Sequence, residues 1–292
     1  MEVRTDAAII NNHSAILNKI AHFWDNISSG WKEILGSHIH HGFYDANEQR
    51  QVSVLSAQEK LIEKLANLLN LKKQDRVLDV GCGMGGSAIY LAKQYQVQVI
   101  GITLSQKQVD IARASLQEKE NPGPMMLVTF LKEDAHTLAN FTDNSMDVIW
   151  SLESCEQFYD KTLFIQQAHR VLKPGGQLMI ATWCSDQDAY HGALAKNYLT
   201  LCKQFDLPYM PSLSWYTKVI ASFFQINRVE DWSDKVKDSW DIGLSLLKNY
   251  SFWHLLKHGG LTSIRFVMSL KRMSRSFQEG QLRYGVFLAT KP

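Results

Sequence analysis

The sequence predicts an α/β fold, a mainly parallel sheet with helices on both faces, on three observations. Residues 73–184 alternate short apolar runs with helix-length amphipathic segments, the pattern of parallel strands joined by crossover helices. The first of these runs, Val77-Leu78-Asp79-Val80, leads directly into Gly81-Cys82-Gly83-Met84-Gly85-Gly86, a tight turn from a buried strand into a helix starting near Ser87. At the far end of the chain, residues 282–289 form another largely apolar run with the character of a sheet member.

Taken in order, residues 1–72 read as helical. Ile9, Ile16, Leu17, Ile20, Phe23 and Trp24 fall on one helix face, and Leu55, Leu61, Ile62, Leu65, Leu68 and Leu69 form a second stripe. An aromatic, histidine-rich loop over 29–45 separates them. Strands are expected at 77–80, 97–102, 126–131, 146–152 and 177–184. Before the last of these, a helix ends at Val171-Leu172, and Lys173-Pro174-Gly175-Gly176 follows as a stop-and-turn signal. Residues 185–292 open with helices carrying Leu194, Tyr198 and Leu201, then Trp215, Val219, Ile220, Phe223 and Phe224. A strand near 225–232, helices to about 276 and the final strand complete the chain. Three regions result: 1–72, 73–184 and 185–292.

Composition sets bounds on function. A hydrophobic content of 45% with 21% charged residues is that of a globular protein, and a net charge of +2 gives no general pull toward nucleic acid. Cys82, Cys155, Cys184 and Cys202 lack metal-ligand spacing, so no metal site is expected and a reducing, cytoplasmic setting is the simple reading. The first residues carry acids and resemble neither a secretory signal nor a transit peptide, and no run of eighteen uncharged apolar residues occurs. Between 242 and 276, Lys248, Lys257, Arg265, Lys271, Arg272 and Arg275 interleave with apolar residues and no acid. That pattern fits peripheral contact with an anionic membrane surface, while a lid helix packed on the core with a solvated basic side is the preferred reading. No nucleic-acid motif accompanies it, and no obligate protein partner is expected.

The glycine turn brings main chain close to a nucleotide or nucleoside. Gly81, Gly83 and Gly86 satisfy the G-x-G-x-x-G pattern, which is weak alone and also wants a carboxylate at the end of the second strand to hold a ribose. Here that strand ends in Thr103-Leu104-Ser105. Asp79 precedes the glycines, where it repels a pyrophosphate and attracts an ammonium. A ligand with a cationic amino-acid end and no phosphate fits, and S-adenosylmethionine has that shape. A bare structural turn, a nicotinamide-dependent oxidoreductase and a non-enzymatic S-adenosylmethionine-binding protein are the alternatives.

In this order and spacing, the glycine loop, Asp134-Ala135 after the third strand and the Leu172–Gly176 turn resemble class I S-adenosylmethionine-dependent methyltransferases. Ser29-Gly30-Trp31, His40-His41-Gly42-Phe43-Tyr44, Gly101-Ile102-Thr103-Leu104-Ser105, Trp150-Ser151-Leu152-Glu153-Ser154, Thr182-Trp183-Cys184 and Asp231-Trp232-Ser233 are similar to the γ-tocopherol methyltransferase family, which includes indole-alkaloid N-methyltransferases. The resemblance implies a Rossmann-like, seven-stranded sheet with one antiparallel member. It also implies a helical lid from residues 1–72 and a cap from the helices of 185–292. It further implies that Asp79, Gly81, Gly83 and Gly85 surround the methionine end of S-adenosylmethionine, that Thr103, Leu104 and Gln108 hold the ribose, and that Asp134 and Ala135 hold the adenine. Ser151 would approach the sulfur, and Ile39 and His40 would close from the lid.

Methyl transfer from a sulfonium needs alignment and exclusion of water, so aromatic walls suit it. Phe23, Trp24, Phe43, Tyr44, Trp150, Trp183, Trp215 and Tyr216 are candidates for a small hydrophobic acceptor; each is equally suited to core packing. His40, His41 and Glu156 are candidates to take a proton, with loop hydrogen bonding or helix capping as their ordinary roles. Family members usually carry Glu-His where this chain has Glu156-Gln157, and Gln157 takes up no proton. That departure tilts the expected acceptor toward the nitrogen of an indole-type or terpenoid metabolite. Ring-carbon methylation of a tocopherol-like phenol is the alternative.

Overall fold

The computed structural model describes residues 2–6, 13–45, 52–117, 127–247 and 269–292. Its elements are β1 (Glu2–Arg4), α1 (His13–Leu35), α2 (Val54–Ala66), β2 (Arg76–Val80), α3 (Gly86–Tyr95), β3 (Gln98–Thr103), α4 (Gln106–Leu116), β4 (Val128–Lys132) and β5 (Met146–Leu152). A 3-10 turn over Cys155–Gln157 follows, then α5 (Lys161–Val171), β6 (Leu172–Ser185), β7 (Ala189–His191), α6 (Gly192–Gln204), α7 (Leu213–Ala221), β8 (Gln225–Asp231), α8 (Ser233–Val236), α9 (Asp238–Leu247), a helix over 269–278 and β9 (Leu282–Thr290).

A seven-stranded sheet in the order β4-β3-β2-β5-β6-β9-β8 forms the centre. Its members are parallel except β9, which runs antiparallel to both β6 and β8, as the family resemblance implied. Strand alternation sends Val77, Val148, Trp150 and Met179 to one face, against Leu61, Ile62 and Leu65 of α2 and Leu91 of α3. Leu78, Val80, Ile149, Leu178 and Ile180 go to the other, against Phe164 and Ile165 of α5 and Tyr216 and Ile220 of α7. Side-chain caps fix where helices begin. Ser53 accepts from the Ser56 N–H, Ser105 from Gln108, Asp160 from Leu163 and Ser212 from Trp215.

Three expectations are corrected. Residues 1–72 are not all helical, because β1 pairs antiparallel with β7 to form a separate two-stranded sheet. The Lys173–Gly176 segment is not a free turn: it bulges within β6, and Gly175 and Gly176 exchange backbone hydrogen bonds with Lys291. The third strand runs Val128–Lys132, later than expected, and position 126 lies outside the described residues. Most of the basic stretch over 242–276, including Lys248, Lys257 and Arg265, also lies outside them. Among the described residues, no helix is long and apolar enough to cross a membrane.

Candidate active site

The C-terminal ends of β2, β3, β4 and β5 open onto a cavity of about 230 Å³, walled on its other sides by α1, the loop over 37–44, α9 and Trp183 of β6. Ligands in open α/β sheets bind at this edge. The turn from β2 to α3 brings Gly81, Cys82, Gly83 and Met84 to the wall. Gly85 has a φ of 86°, and a Cβ there would lie 2.5 Å from the Phe130 ring, so no other residue fits. Gly85 therefore packs beneath the turn and does not line the cavity, which corrects its expected contact with the ligand. The His38 ring closes over Gly86 from the other side.

Asp79 lines this end with its Oδ2 buried and without a hydrogen-bond partner. Burial away from water pushes its carboxyl up to about 8. Such an atom awaits a cation. Across the turn, the Thr103 hydroxyl donates to Gln108 Oε1 at 2.7 Å, and both side chains line the wall with Leu104. Further along, Asp134 Oδ1 accepts from the His136 backbone N–H at 2.9 Å and pairs with His136 Nδ1 at 2.6 Å. Burial pushes Asp134 up, yet the hydrogen bonds from His136 outweigh it and hold the group below its ordinary value. His136 in turn stacks on Tyr159 at 3.7 Å. Among the described lining residues are five carboxylates, Asp79, Glu133, Asp134, Glu153 and Glu156, and no lysine or arginine. These residues fit S-adenosylmethionine: Asp79 would hold its ammonium, and Asp134 beside Ala135 would offer acceptors to its adenine.

At the opposite end stand Glu156, Glu153 and His41. Glu156 Oε1 accepts from the Trp183 backbone N–H at 2.7 Å, while its buried Oε2 has no partner. Desolvation, with the neighbouring Glu153 charge, raises this carboxyl to about 7. Burial also pushes Glu153 up, but the facing His41 and its hydrogen bonds win and hold Glu153 below the ordinary range. His40 is tied on both sides, with Nδ1 at 2.8 Å from the His41 carbonyl and Nε2 at 3.2 Å from His38 Nδ1. The carbonyl only accepts, so His40 carries its proton on Nδ1 and receives one from His38. Burial lowers both rings, His38 to about 3. Gln58 clamps this loop by donating to the carbonyls of His38 and His40. Ile39 and His40 line the cavity from it.

Phe23, Trp24, Tyr44, Gln157 and Trp183 also line the cavity. The Trp24 indole N–H donates to Gln157 Oε1 at 2.6 Å, so α1 is joined to the acceptor-side loop through the residue that departs from the family pattern. Other expectations fail. Trp215 packs with Tyr209 and Tyr216 on the far face of the sheet, so it does not touch the acceptor. Trp150 and Tyr216 are fully buried core, and Phe43 stacks edge-on with Trp232. Ser151 is buried below the wall, its hydroxyl held by Ser154 and Cys155, and its side chain does not line the cavity. Glu153 and Trp240 line it without having been singled out for it.

A family model described as a methyltransferase domain matches residues 78–180. The chain is 32% identical to the chloroplastic tocopherol O-methyltransferase of Arabidopsis thaliana, over 98% of this chain and 85% of that protein. It is 28% identical to the norajmaline N-methyltransferase of Rauvolfia serpentina, over 91% of this chain and 94% of that one. The solved [4+2]-cyclase SpnF superposes with a TM-score of 0.81 at 24% identity, covering 94% of this chain and 97% of its own, a likeness that shows the fold alone. Kinship over nearly the whole chain and the carboxylate-lined, phosphate-averse cavity lead to one conclusion: the chain belongs to the tocopherol O-methyltransferase-like family and is an S-adenosylmethionine-dependent small-molecule methyltransferase.

Proposed function

We propose that the acceptor is a small, apolar, ring-containing amine, an indole-type or terpenoid specialised metabolite methylated on nitrogen. One observation carries this reading. The acceptor end presents two buried carboxylates, Glu153 and Glu156, beside the rings of Trp183, Trp240 and Tyr44, with no lysine or arginine among the described lining residues. In a water-poor site, an ammonium gains from carboxylates and ring faces. A phenolate there meets negative charge with no lysine or arginine among the described lining residues to offset it. Bound S-adenosylmethionine supplies an activated methyl group, so the protein has to align, desolvate and neutralise the nucleophile. Glu156 Oε2 faces the charge that nitrogen regains as it takes the methyl group, and the aromatic walls exclude water.

The second reading is methylation of a tocopherol-like prenylated phenol, on a ring carbon, supported by the 32% identity to a protein named for tocopherol. Labelled methyl transfer from S-adenosylmethionine to a panel of cyclic amines and tocopherols separates the two. Label on amines, located on nitrogen by NMR, is expected; label on tocopherols alone overturns the nitrogen reading. Residence in the cytoplasm belongs to the same proposal, supported by four free and buried cysteines. So does peripheral contact with an anionic membrane, supported by the exposed Lys271, Arg272 and Arg275.

A further inference from the structure

We propose that Glu153, with Tyr284, is a positioning pair that fixes the His41 ring with its proton on Nδ1, so that Nε2 takes the proton from the acceptor. Glu153 follows β5 with a φ of 49°, a left-handed backbone that side chains rarely adopt, and its N–H is held by the Ala181 carbonyl. That turn aims the carboxylate back at the loop carrying His41. Glu153 Oε1 accepts from the His41 backbone N–H at 2.9 Å and from the Tyr284 hydroxyl at 2.9 Å, and Oε2 lies 2.8 Å from His41 Nδ1. An ionised carboxylate only accepts, so Nδ1 carries the proton. Nε2 is buried, lacks a partner and belongs to a side chain lining the cavity. Among the described residues, the structure offers no acceptor to an N–H at Nε2. Trp183, Trp240, Phe277 and Tyr284 pack around the imidazole with ring centroids 4.7–6.0 Å away and keep its plane fixed. Neither His40 nor Glu156 has such an arrangement, since His40 spends both ring nitrogens inside its own loop.

For a secondary amine arriving protonated, one N–H proton passes to His41 Nε2, giving an imidazolium paired with Glu153. The neutral nitrogen then bonds the methyl carbon as the carbon–sulfur bond breaks and its electron pair stays on sulfur. The tertiary ammonium product keeps its remaining proton, and His41 returns its own to water. The identity of the proton donor rests on the nitrogen reading; the state of His41 does not.

Long-range proton–nitrogen NMR on the full-length protein at neutral pH tests this, with the His41 signals identified by their loss in His41→Gln. One protonated Nδ1 and one bare Nε2 are expected. In Glu153→Gln the carboxamide NH2 can face Nδ1 and drive the proton to Nε2. With a cyclic secondary amine as acceptor, kcat should then fall about a hundredfold, while KM for S-adenosylmethionine stays within about threefold. Tyr284→Phe should keep the tautomer and cost about tenfold or less. A wild-type His41 protonated on Nε2 or on both nitrogens overturns the proposal, as does a tautomer change in Glu153→Gln without loss of kcat. Should Glu153→Gln fail to fold, the wild-type spectrum decides alone. Turnover of phenols with the expected tautomer would overturn the nitrogen reading and leave the assignment of Glu153 standing.

Discussion

Asp79 is a carboxylate held out of water with nothing basic beside it, so its ionisation is coupled to whatever cation arrives. Its folded value, about 8, lies above the ordinary 3.8. The unfolded chain therefore holds fewer protons here between those values, and the contribution to stability, full at low pH, is lost as pH rises through the folded value. A bound ammonium should reverse this. Titration calorimetry of S-adenosylmethionine near pH 7 in buffers of different ionisation enthalpy should show release of up to about one proton, because neutral Asp79 ionises against the ligand. Asp79→Ala should abolish that release and weaken binding by about 1.5–3 kcal/mol in a folded protein; unchanged affinity would remove Asp79 from the site. For a nitrogen acceptor, Glu156→Gln should raise its KM by about tenfold and lower kcat less than about tenfold, whereas a phenol would lose on the order of a hundredfold in kcat. Steady-state kinetics on both acceptors decides. Residues such as Asp79, Thr103 and Asp134 were legible in the sequence because each stands in or just beyond the C-terminal end of a strand. Glu153 was not, because its aim depends on a positive φ that no pattern announces. Trp215 misled because an aromatic on an amphipathic helix does not say which face of the sheet it meets.

The turn from β2 to α3 contains two glycines of opposite kinds. A Cβ on Gly85 would strike the Phe130 ring and Ala112, whereas one on Gly83 meets nothing within 4 Å despite a φ of 53°. Gly85→Ala should therefore lower stability by about 3 kcal/mol or more, as overpacking and backbone strain combine. Gly83→Ala should cost only about 1–2 kcal/mol in stability, while its methyl, on a residue lining the cavity, weakens S-adenosylhomocysteine binding. Denaturant melts and calorimetry on the two variants separate these effects. Helix α1 is attached through Trp24 to Gln157, through Asp25 to the Ser105 hydroxyl and the Lys107 N–H, and also through Lys19 to Asp206 and Lys32 to Ser115. Asp25→Ala should cost about 1–2 kcal/mol, since it also leaves a cap-side hydroxyl without its acceptor, and stopped-flow displacement should show faster release of S-adenosylhomocysteine. The helices themselves were legible from their apolar stripes. The Lys173–Gly176 bulge was not, because its partner Lys291 is more than a hundred residues away and Pro-Gly-Gly has the composition of any turn.

Across the whole molecule, the sign of the cavity decides what enters. With carboxylates and no lysine or arginine among its described lining, NADH and prenyl diphosphates should show no calorimetric binding where S-adenosylhomocysteine binds; measurable affinity for either would contradict this reading. The parallel strands over 73–184 were readable from sequence because strands buried on both faces are continuous apolar runs, while the seven-stranded total was implied by the family resemblance. For the same reason those runs gave no warning that Trp150 belongs to the core and Trp183 to the cavity. The small β1–β7 sheet escaped because strands of three residues are too short to carry periodicity. That small sheet has a consequence for how the chain comes off the ribosome. Thr5 donates to the backbone oxygens of Gln187 and Asp188, and Tyr198 donates to the Thr5 carbonyl, so the first residues have their partners about 180 positions later. At about 5–20 residues per second, β1 waits roughly 10–40 s for them after its own synthesis. The strands that carry the cofactor site emerge during that interval, and this seam can close before β9, made later still, enters the central sheet.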